Sequence, residues 1–490
     1  MNVLLVSPRN PDTFWSFKHA LPFVAKRSSL PPLGLLTVAG LLPRAWRLEL
    51  VDLDVSRLRD AQIRRADWVL VSAMIVHEQS VREIARRCAA LGRPVIGGGP
   101  LFTTGHERFP EIGHFVLGEA EELAGELAAD MTAGQVRRVY RAPRFPDLAL
   151  TPVPRWDLIR PRHYATLAVQ SSRGCPYDCE FCDIVVMNGR VPRVKTPARM
   201  IAELEALRAR GWRGAVFVVD DNFIGNKAGV KEILREIVVW RRRTHSPFTF
   251  LTEASVNLAD DAELLGRMVE AGFKKVFLGL ETPVADSLVE CRKSQNAGRD
   301  LVAAVRVIQA AGLEVMGGFI IGFDNDQPDI FERQFEFIQK AGVATAMVGL
   351  LTALPQTRLW KRLAGEGRLL GDSTGDNTSA TFNFVPKLDH EYLMEGYRRL
   401  MKRLYEPRAY YRRVGAFLEN YQARGPRARL LPAELGALFK SLLMNGLIHR
   451  GRRAYWRFLA ITLVRHPSSF GLAITSAIYG HHFRTVARRL

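Results

Sequence analysis

The sequence predicts an α/β protein in three parts: a doubly wound, Rossmann-like parallel sheet, a partial (β/α)6 barrel of TIM type, and a basic helical region at the C-terminus. Three observations predict it. Short apolar runs alternate with helix-length segments in two series, a Pro-rich stretch separates the series, and positive charge gathers in the last hundred residues. At 490 residues the chain exceeds one ordinary core and divides into about three domains. A hydrophobic content of 47% beside 24% charged residues excludes a disordered polymer. Of the five Cys, Cys88 and Cys291 stand alone, which suits a reducing cytoplasm and not a disulfide framework.

In the first domain, residues 1–140, apolar runs at 2–7, 48–52, 68–73, 94–98 and 114–118 read as strands. LGLLTVAGLL and HEQSVREIARRCAALG lie between them as helices. Buried strands spaced by helices build a parallel sheet, and ligands bind beyond the carboxyl ends of its strands. Those ends carry SAMIVHEQS, GGGPLFTT and GEAEE, which makes Ser72, Ala73, Met74, Gly97, Gly98 and Gly99 candidate ligand contacts. Glycine lets backbone approach a ligand closely; a tight strand-to-helix turn is the plainer use of the same residues. His77 reads as an exposed helix-start residue. Residues 141–165 hold five Pro without helical period and read as an extended linker, excluded from central strands.

In the central domain, residues 166–387, strand runs at 167–172, 215–221, 248–255, 275–281, 314–323 and 345–355 alternate with helical segments such as PARMIAELEALRARG. Six β/α units suit a partial barrel, whose functional residues collect where strands end. Asp220, Asp221 and Asn222 end the second strand, Glu253 and Ser255 the third, Glu281 the fourth, and Gly317, Gly318 and Gly322 lie on the fifth. After the first strand come Cys175, Cys179 and Cys182. Three thiolates so spaced serve three irons of a cubane 4Fe–4S cluster and leave the fourth for a small molecule, whereas electron carriers cover all four. Structural zinc wants four ligands, usually in two pairs, and no second pair exists.

The stretch SSRGCPYDCEFCD, with aromatic Phe181 before the last Cys, resembles the radical S-adenosylmethionine (SAM) superfamily. DTFWSFKHAL, PPLGLLTVAGLLP, SAMIVH, FVVDDNFIGNK, TEASVNLADD, ETPVADSLVECRKSQN and GGFIIGFDND extend the resemblance to its cobalamin-binding branch, in a subgroup that includes hopanoid C-2 methylation. The resemblance implies that the three Cys hold the cluster and that SAM chelates its open iron. It further implies that Phe181 and the Gly317, Gly318 and Gly322 strand lie near adenine, that Asp220 and Asp221 meet the SAM amino group, and that Glu253, Ser255 and Glu281 are cofactor contacts. Residues 72–74 and 97–99 then face cobalamin. No His has Asp two positions before it, so D-x-H-x-x-G is absent, which implies base-off cobalamin without a His ligand. Pro355, Gln356 and Thr357 stand where many relatives carry Pro-Gly-Thr.

The implied activity is methyl transfer to an unactivated carbon of a lipid-like, hopanoid-type substrate through a 5′-deoxyadenosyl radical and methylcobalamin. Cyclisation or rearrangement without methylation is the alternative within the branch. A methylthiotransferase-like RNA-modifying enzyme is a second alternative, but it wants another N-terminal three-Cys set, and only Cys88 precedes the motif. A non-catalytic sensor gives the strand-end carboxylates no purpose. An electron donor such as flavodoxin or ferredoxin is implied, and nucleic acid is not expected as a partner.

Residues 388–490 form the third region. From 391 to 490 there are 19 Lys and Arg against 5 Glu, hence +14 of the total +19. Helical stretches are broken by Pro426, Pro432 and Pro467, and Trp456, Phe458 and Leu463 stand among Arg residues. That composition fits an amphipathic helix on an anionic membrane. A helical cap with a solvated basic face and a tRNA-binding surface are the other readings. With no secretory signal and no apolar run of about 20 residues, the expected location is cytoplasmic, with a peripheral position at the inner membrane face open to the C-terminal region.

Overall fold

The computed structural model describes residues 1–424 and 432–490. Strands β1 (Asn2–Ser7), β2 (Arg47–Asp52), β3 (Trp68–Ser72), β4 (Val95–Gly98), β5 (His114–Leu117) and β6 (Val139–Arg141) form one parallel sheet in the order β2-β1-β3-β4-β5-β6. Their apolar runs are continuous because both faces are covered. Leu4, Val6, Val69 and Val71 enter the core on one side, while Val3, Leu70 and Ile96 enter that on the other. The three-residue β6, at the threshold of the Pro-rich stretch, is too short to announce itself as an apolar run. Strand order reverses between β1 and β3, where sheets of this topology bind ligands.

The Pro-rich stretch is a packed seam and not a loose spacer. It winds through three single-turn helices, Leu148–Leu150, Trp156–Leu158 and Pro161–His163, and buries Leu148, Trp156 and Tyr164. The Tyr164 hydroxyl donates to Asp52 Oδ2 at 3.0 Å, fastening the seam to the end of β2.

Beyond it come β7 (Leu167–Val169), the ribbon β8 (Ser172–Arg173) with β9 (Arg193–Val194), then β10 (Ala215–Val218), β11 (Thr249–Ala254), β12 (Phe273–Glu281), β13 (Glu314–Ile321) and β14 (Thr345–Leu350). Excluding the ribbon, all pair in parallel in the order β7-β10-β11-β12-β13-β14, and the edges β7 and β14 do not meet, which is an open partial barrel. Helices Pro197–Ala209, Lys227–Thr244, Ala262–Ala271, Leu301–Ala311 and Ile330–Ala341 cover its outside.

The C-terminal region packs helices His390–Leu404, Pro407–Asn420, Pro432–Leu443, Arg452–Arg465 and Phe470–Ala487 against the barrel. The break expected at Pro426 lies outside the described residues. Phe458 is not at the surface: it is buried and stacks on Tyr411 at 4.9 Å between ring centres. The segment after β1 is clasped by the last helix, where Phe14 stacks on Phe483 at 4.1 Å and its carbonyl lies 2.8 Å from His482 Nε2.

Candidate active site

The cysteine loop is held at both ends. The β8–β9 ribbon pairs Ser172 with Val194 and Arg173 with Arg193, closing its base. Gly174 has φ +98°, and a Cβ there would sit 3.0 to 3.1 Å from the carbonyl oxygens of Val191, Asn188 and Gly189, so only glycine fits before Cys175. From β10, the buried Asp220 accepts the Ser171 N–H at 2.7 Å, the Ser172 hydroxyl at 2.7 Å and the Ser171 hydroxyl. Asp221 accepts the Gly174 N–H and the Asn188 side-chain amide, both at 2.8 Å. At the far side, Glu180 pairs with Arg362 at 2.7 Å and its carbonyl accepts the Leu359 N–H. The helix Arg358–Gly365 that carries these partners is capped by Thr357, whose hydroxyl accepts the Trp360 N–H. Gln356, between Pro355 and Thr357, has φ +67°, the conformation glycine adopts freely.

Cys175, Cys179 and Cys182 are unpaired thiols. The Asn222 amide reaches Cys175 Sγ at 3.7 Å and the Gln295 amide reaches Cys179 Sγ at 3.6 Å. Burial pushes the Cys179 and Cys182 thiols up, and the Lys293 ammonium opposes that rise in both. Lys293 pairs with Glu281 at 2.6 Å and lies 5.8 Å from the centre of the Phe181 ring. Glu281 holds φ +62° at a register shift in β12, and a Cβ on Gly279 would strike both partners of that pair. Among the described residues no three His, Cys, Asp or Glu side chains gather tightly enough for a single metal ion. Three thiols on one loop, two receiving amide N–H bonds and two within the field of one cation, fit a cluster whose thiolates sit on separate irons and are tuned by such bonds.

The other strand ends divide by use. Asp220 and Asp221 spend their carboxylates on the loop, and Ser255 bonds Asn222 at 3.2 Å. Gly317 faces core: its Cβ would meet Phe319 and Val343. Gly318 is close to Phe277, and Gly322, at φ +105°, to Phe382. Glu253 differs. Burial, followed by the Asp221 and Asp220 charges, pushes it up to about 7 without a hydrogen-bonding partner. Its ionisation therefore costs stability as pH rises from about 4.5 through 7. In the cofactor-free protein, Glu253→Gln is expected to gain on the order of 2 kcal/mol over the parent at pH 8 and nothing below pH about 4.5, measured by chemical denaturation.

In the first domain, Met74 is 50% exposed beyond β3 while Ala73 is buried beneath it. Gly99, at φ +90°, brings its turn against Ser72 and Ala73, since a Cβ would lie 2.8 Å from Ser72 Oγ. Gly98 is in ordinary contact, and Gly97 faces core, where Phe102 and Phe115 stand 3.1 Å from a would-be Cβ. His77 is buried and not exposed. Its Nδ1 accepts the Met74 N–H at 3.2 Å, so Nε2 carries the proton and donates to Asn10 Oδ1 at 2.8 Å across the switch point between β1 and β3. Both ring nitrogens are committed to shaping the Met74 loop. The Met74 loop abuts the barrel, because a Cβ on Gly375 would lie 2.7 Å from the Val76 nitrogen. The GEAEE loop is an interdomain tie: Glu121 pairs with Arg173 at 2.8 Å, and Glu119 with Arg173 and Arg193.

A reading confined to strand ends passes over Lys293, Gln295 and Gly279. The first two follow the short helix Ala285–Glu290, and only their place in the stretch ETPVADSLVECRKSQN marks them.

A parallel sheet with a built switch point, joined by buried ion pairs to a partial barrel with a three-Cys loop, defines a cobalamin-binding radical SAM protein. Comparison with known proteins agrees. Residues 25–128 match the B12 binding domain, 169–338 the radical SAM superfamily and 357–490 a domain of unknown function (DUF4070). An uncharacterized methyltransferase of Synechocystis sp. is 40% identical, covering 99% of this chain and 91% of that protein. The hopanoid C-2 methylase of Rhodopseudomonas palustris is 33% identical, covering 99% of this chain and 93% of that protein. The fold matches the cobalamin-dependent SAM radical enzyme OxsB with aqua-cobalamin and SAM bound (TM-score 0.65, 15% identity, 100% of this chain and 80% of that one). It also matches the methyltransferase TsrM from Kitasatospora setae with cobalamin and a [4Fe–4S] cluster bound (TM-score 0.59, 16% identity, 96% and 99%). The chain belongs to the cobalamin-dependent radical SAM methyltransferases, whose cofactors are a 4Fe–4S cluster, SAM and cobalamin.

Proposed function

We propose that this methyltransferase acts on an unactivated carbon of a lipid-like, polycyclic substrate of hopanoid type. The observation that carries the reading is a cavity of about 2740 Å³ on the inner side of the open barrel, bounded by Trp15, Phe277, Met316, Ile474 and Tyr479 and reaching Glu253. Drug-sized ligands occupy roughly 300 to 1,000 Å³, so this space suits a larger apolar body. The relative's hopanoid substrate fits that description.

Cluster and SAM, when bound, supply a carbon-centred radical that removes hydrogen from the substrate, and cobalamin supplies the methyl group. Cys175, Cys179 and Cys182 would hold the cluster, with Asp220 and Asp221 fixing the loop so that its sulfurs keep their places. Phe181, Asn222, Ser255 and the Glu281–Lys293 pair stand around the cysteines and would orient SAM. Ser72, Met74, Gly98 and Gly99 would receive cobalamin, and the Arg173, Arg193, Glu119 and Glu121 ties hold the two halves in register. Trp15, Phe277, Met316, Ile474 and Tyr479 give the cavity an apolar wall, while Lys26, Arg162, Arg210, Lys274 and Lys275 line other parts of it.

A saturable quench of tryptophan fluorescence by a detergent-solubilised triterpenoid is expected, reduced in Trp15→Phe and again in Trp212→Phe, since both rings line the cavity. Binding of polar metabolites with no response to the triterpenoid would overturn the substrate class. A membrane-resident substrate also calls for peripheral contact between the C-terminal region and the bilayer surface.

The electron donor is a flavodoxin or ferredoxin. Support comes from Arg190, Arg292 and Arg358, each at least half exposed around Asp178 of the cysteine loop at 4.0, 4.0 and 2.7 Å. Surplus positive charge there suits an acidic donor. Arg292→Glu with Arg358→Glu is expected to raise the KM for flavodoxin about tenfold and leave dithionite-driven SAM cleavage unchanged, in steady-state assays.

A further inference from the structure

Two neighbouring helices present apolar stripes outward. On Pro432–Leu443 these are Leu435, Phe439 and Leu443, one turn apart, and on Arg452–Arg465 they are Trp456, Leu463 and Val464. Leu447 and Ile448 bridge the helices. Exposure is 68% for Phe439, 62% for Leu447 and 83% for Val464, so these side chains do not pack on the protein. The opposite faces do: Tyr455, Phe458 and Leu459 are buried. Trp456 is held by its ring N–H, which donates to the Gly446 carbonyl at 2.9 Å. A contiguous exposed apolar surface of this kind marks an interaction site.

Charge decides what covers it. Arg450, Arg452, Arg453, Arg457 and Arg465 are exposed around the stripes, and from residue 435 to 490 there are nine Lys and Arg and no Asp or Glu. A second copy of the chain would bring like charge onto like charge. An anionic partner that is apolar inside and charged at its surface meets both features, which is the composition of an anionic leaflet. No helix among the described residues is long and apolar enough to cross a membrane, so the helices lie in its plane. Leu435, Leu438 and Phe470 also line the cavity that reaches Glu253, so the cavity borders this face.

We propose that this face docks on an anionic lipid bilayer and that the cavity opens onto the leaflet there, so that the substrate enters from lipid without crossing water. The proposal rests on the lipid-like substrate for its purpose and not for its measurement.

The test is flotation of the full-length, cofactor-loaded protein with vesicles of pure phosphatidylcholine and of equal parts phosphatidylcholine and phosphatidylglycerol. The expected result is binding to the anionic vesicles at least about tenfold above the neutral ones, weakened by salt. Substituting Arg450, Arg452, Arg453 and Arg457 by Gln is expected to cost at least about tenfold, and Phe439→Ser with Leu447→Ser and Val464→Ser a similar factor. Circular dichroism and cobalamin content should stay unchanged in both variants, since every altered side chain is exposed. Equal binding to both vesicle types, or variants that bind as the parent does, would overturn the proposal; so would retention on an RNA homopolymer without vesicle binding. Methylation of a detergent-solubilised lipid by a protein that ignores vesicles would sink the docking surface and leave the substrate class standing.

Discussion

Cys179→Ala is expected to abolish reductive cleavage of SAM and methyl transfer while cobalamin still binds in stoichiometric amount. Loss of an outer-sphere partner typically costs 10- to 100-fold; loss of one of the three thiols proposed to hold the cluster should exceed that, and turnover should fall to background. No other thiol compensates. Cys88 is buried in the core of the first domain and Cys291 in that of the barrel, where burial pushes both thiols up. The check is iron and sulfide content, the cobalamin absorption spectrum and 5′-deoxyadenosine yield on one preparation. Loss of cobalamin with the cluster would mean that the Arg173, Arg193 and Glu119 ties make the two cofactor sites a single folding unit.

Asp220→Ala should be nearly as damaging, although the Asp220 carboxylate is spent on Ser171 and Ser172 of the cysteine loop. Its carboxylate receives three hydrogen bonds from Ser171 and Ser172 in a fully buried setting. Removing it strands three donors, and a buried hydrogen bond to a charged group contributes roughly 1.5 to 3 kcal/mol. A loss of about 4 kcal/mol in stability is expected, with cluster content reduced even though all three Cys remain. Asp220→Asn keeps one acceptor oxygen and should fall between. Denaturation of the cofactor-free protein and iron content after reconstitution measure the two effects separately; parental stability with full cluster content in Asp220→Ala would refute the fastening role.

Both results follow from a distinction that the sequence carried only in part. The cysteine spacing, the strand-helix alternation and the strand-end carboxylates are local patterns, and so the two sheets and the loop were legible. What each strand-end residue does was less so, because a carboxylate at such a position can meet a ligand or a backbone, and only packing decides. Asp220 and Asp221 both turn to the loop, whereas Glu253, one strand over, has no partner and faces the cavity. The three glycines of the GGG run look alike in sequence yet part company in space: Gly97 packs on Phe102 and Phe115, and Gly99 lets two loops touch. His77 read as exposed because it opens a polar helix, but Asn10, 67 positions earlier, buries it. Long-range partners of this kind leave no periodicity behind. Lys293 and Gln295 escaped for a similar reason, since a bulge and a short helix bring them to the cysteines from outside any strand end. The outward stripes of the C-terminal helices were visible as composition, but which aromatic faced solvent was not: Trp456 does and Phe458 does not.

The most direct measurement is anaerobic reconstitution with iron, sulfide and hydroxocobalamin, followed by turnover with SAM, a reductant and a total lipid extract from hopanoid-producing cells, with products read by mass spectrometry. The expected products are a polycyclic lipid carrying one methyl in place of one hydrogen, a mass gain of CH2, with 5′-deoxyadenosine and S-adenosylhomocysteine formed beside it and all three lost in Cys179→Ala. Formation of 5′-deoxyadenosine with no S-adenosylhomocysteine and no methylated lipid would contradict the proposed methyl transfer.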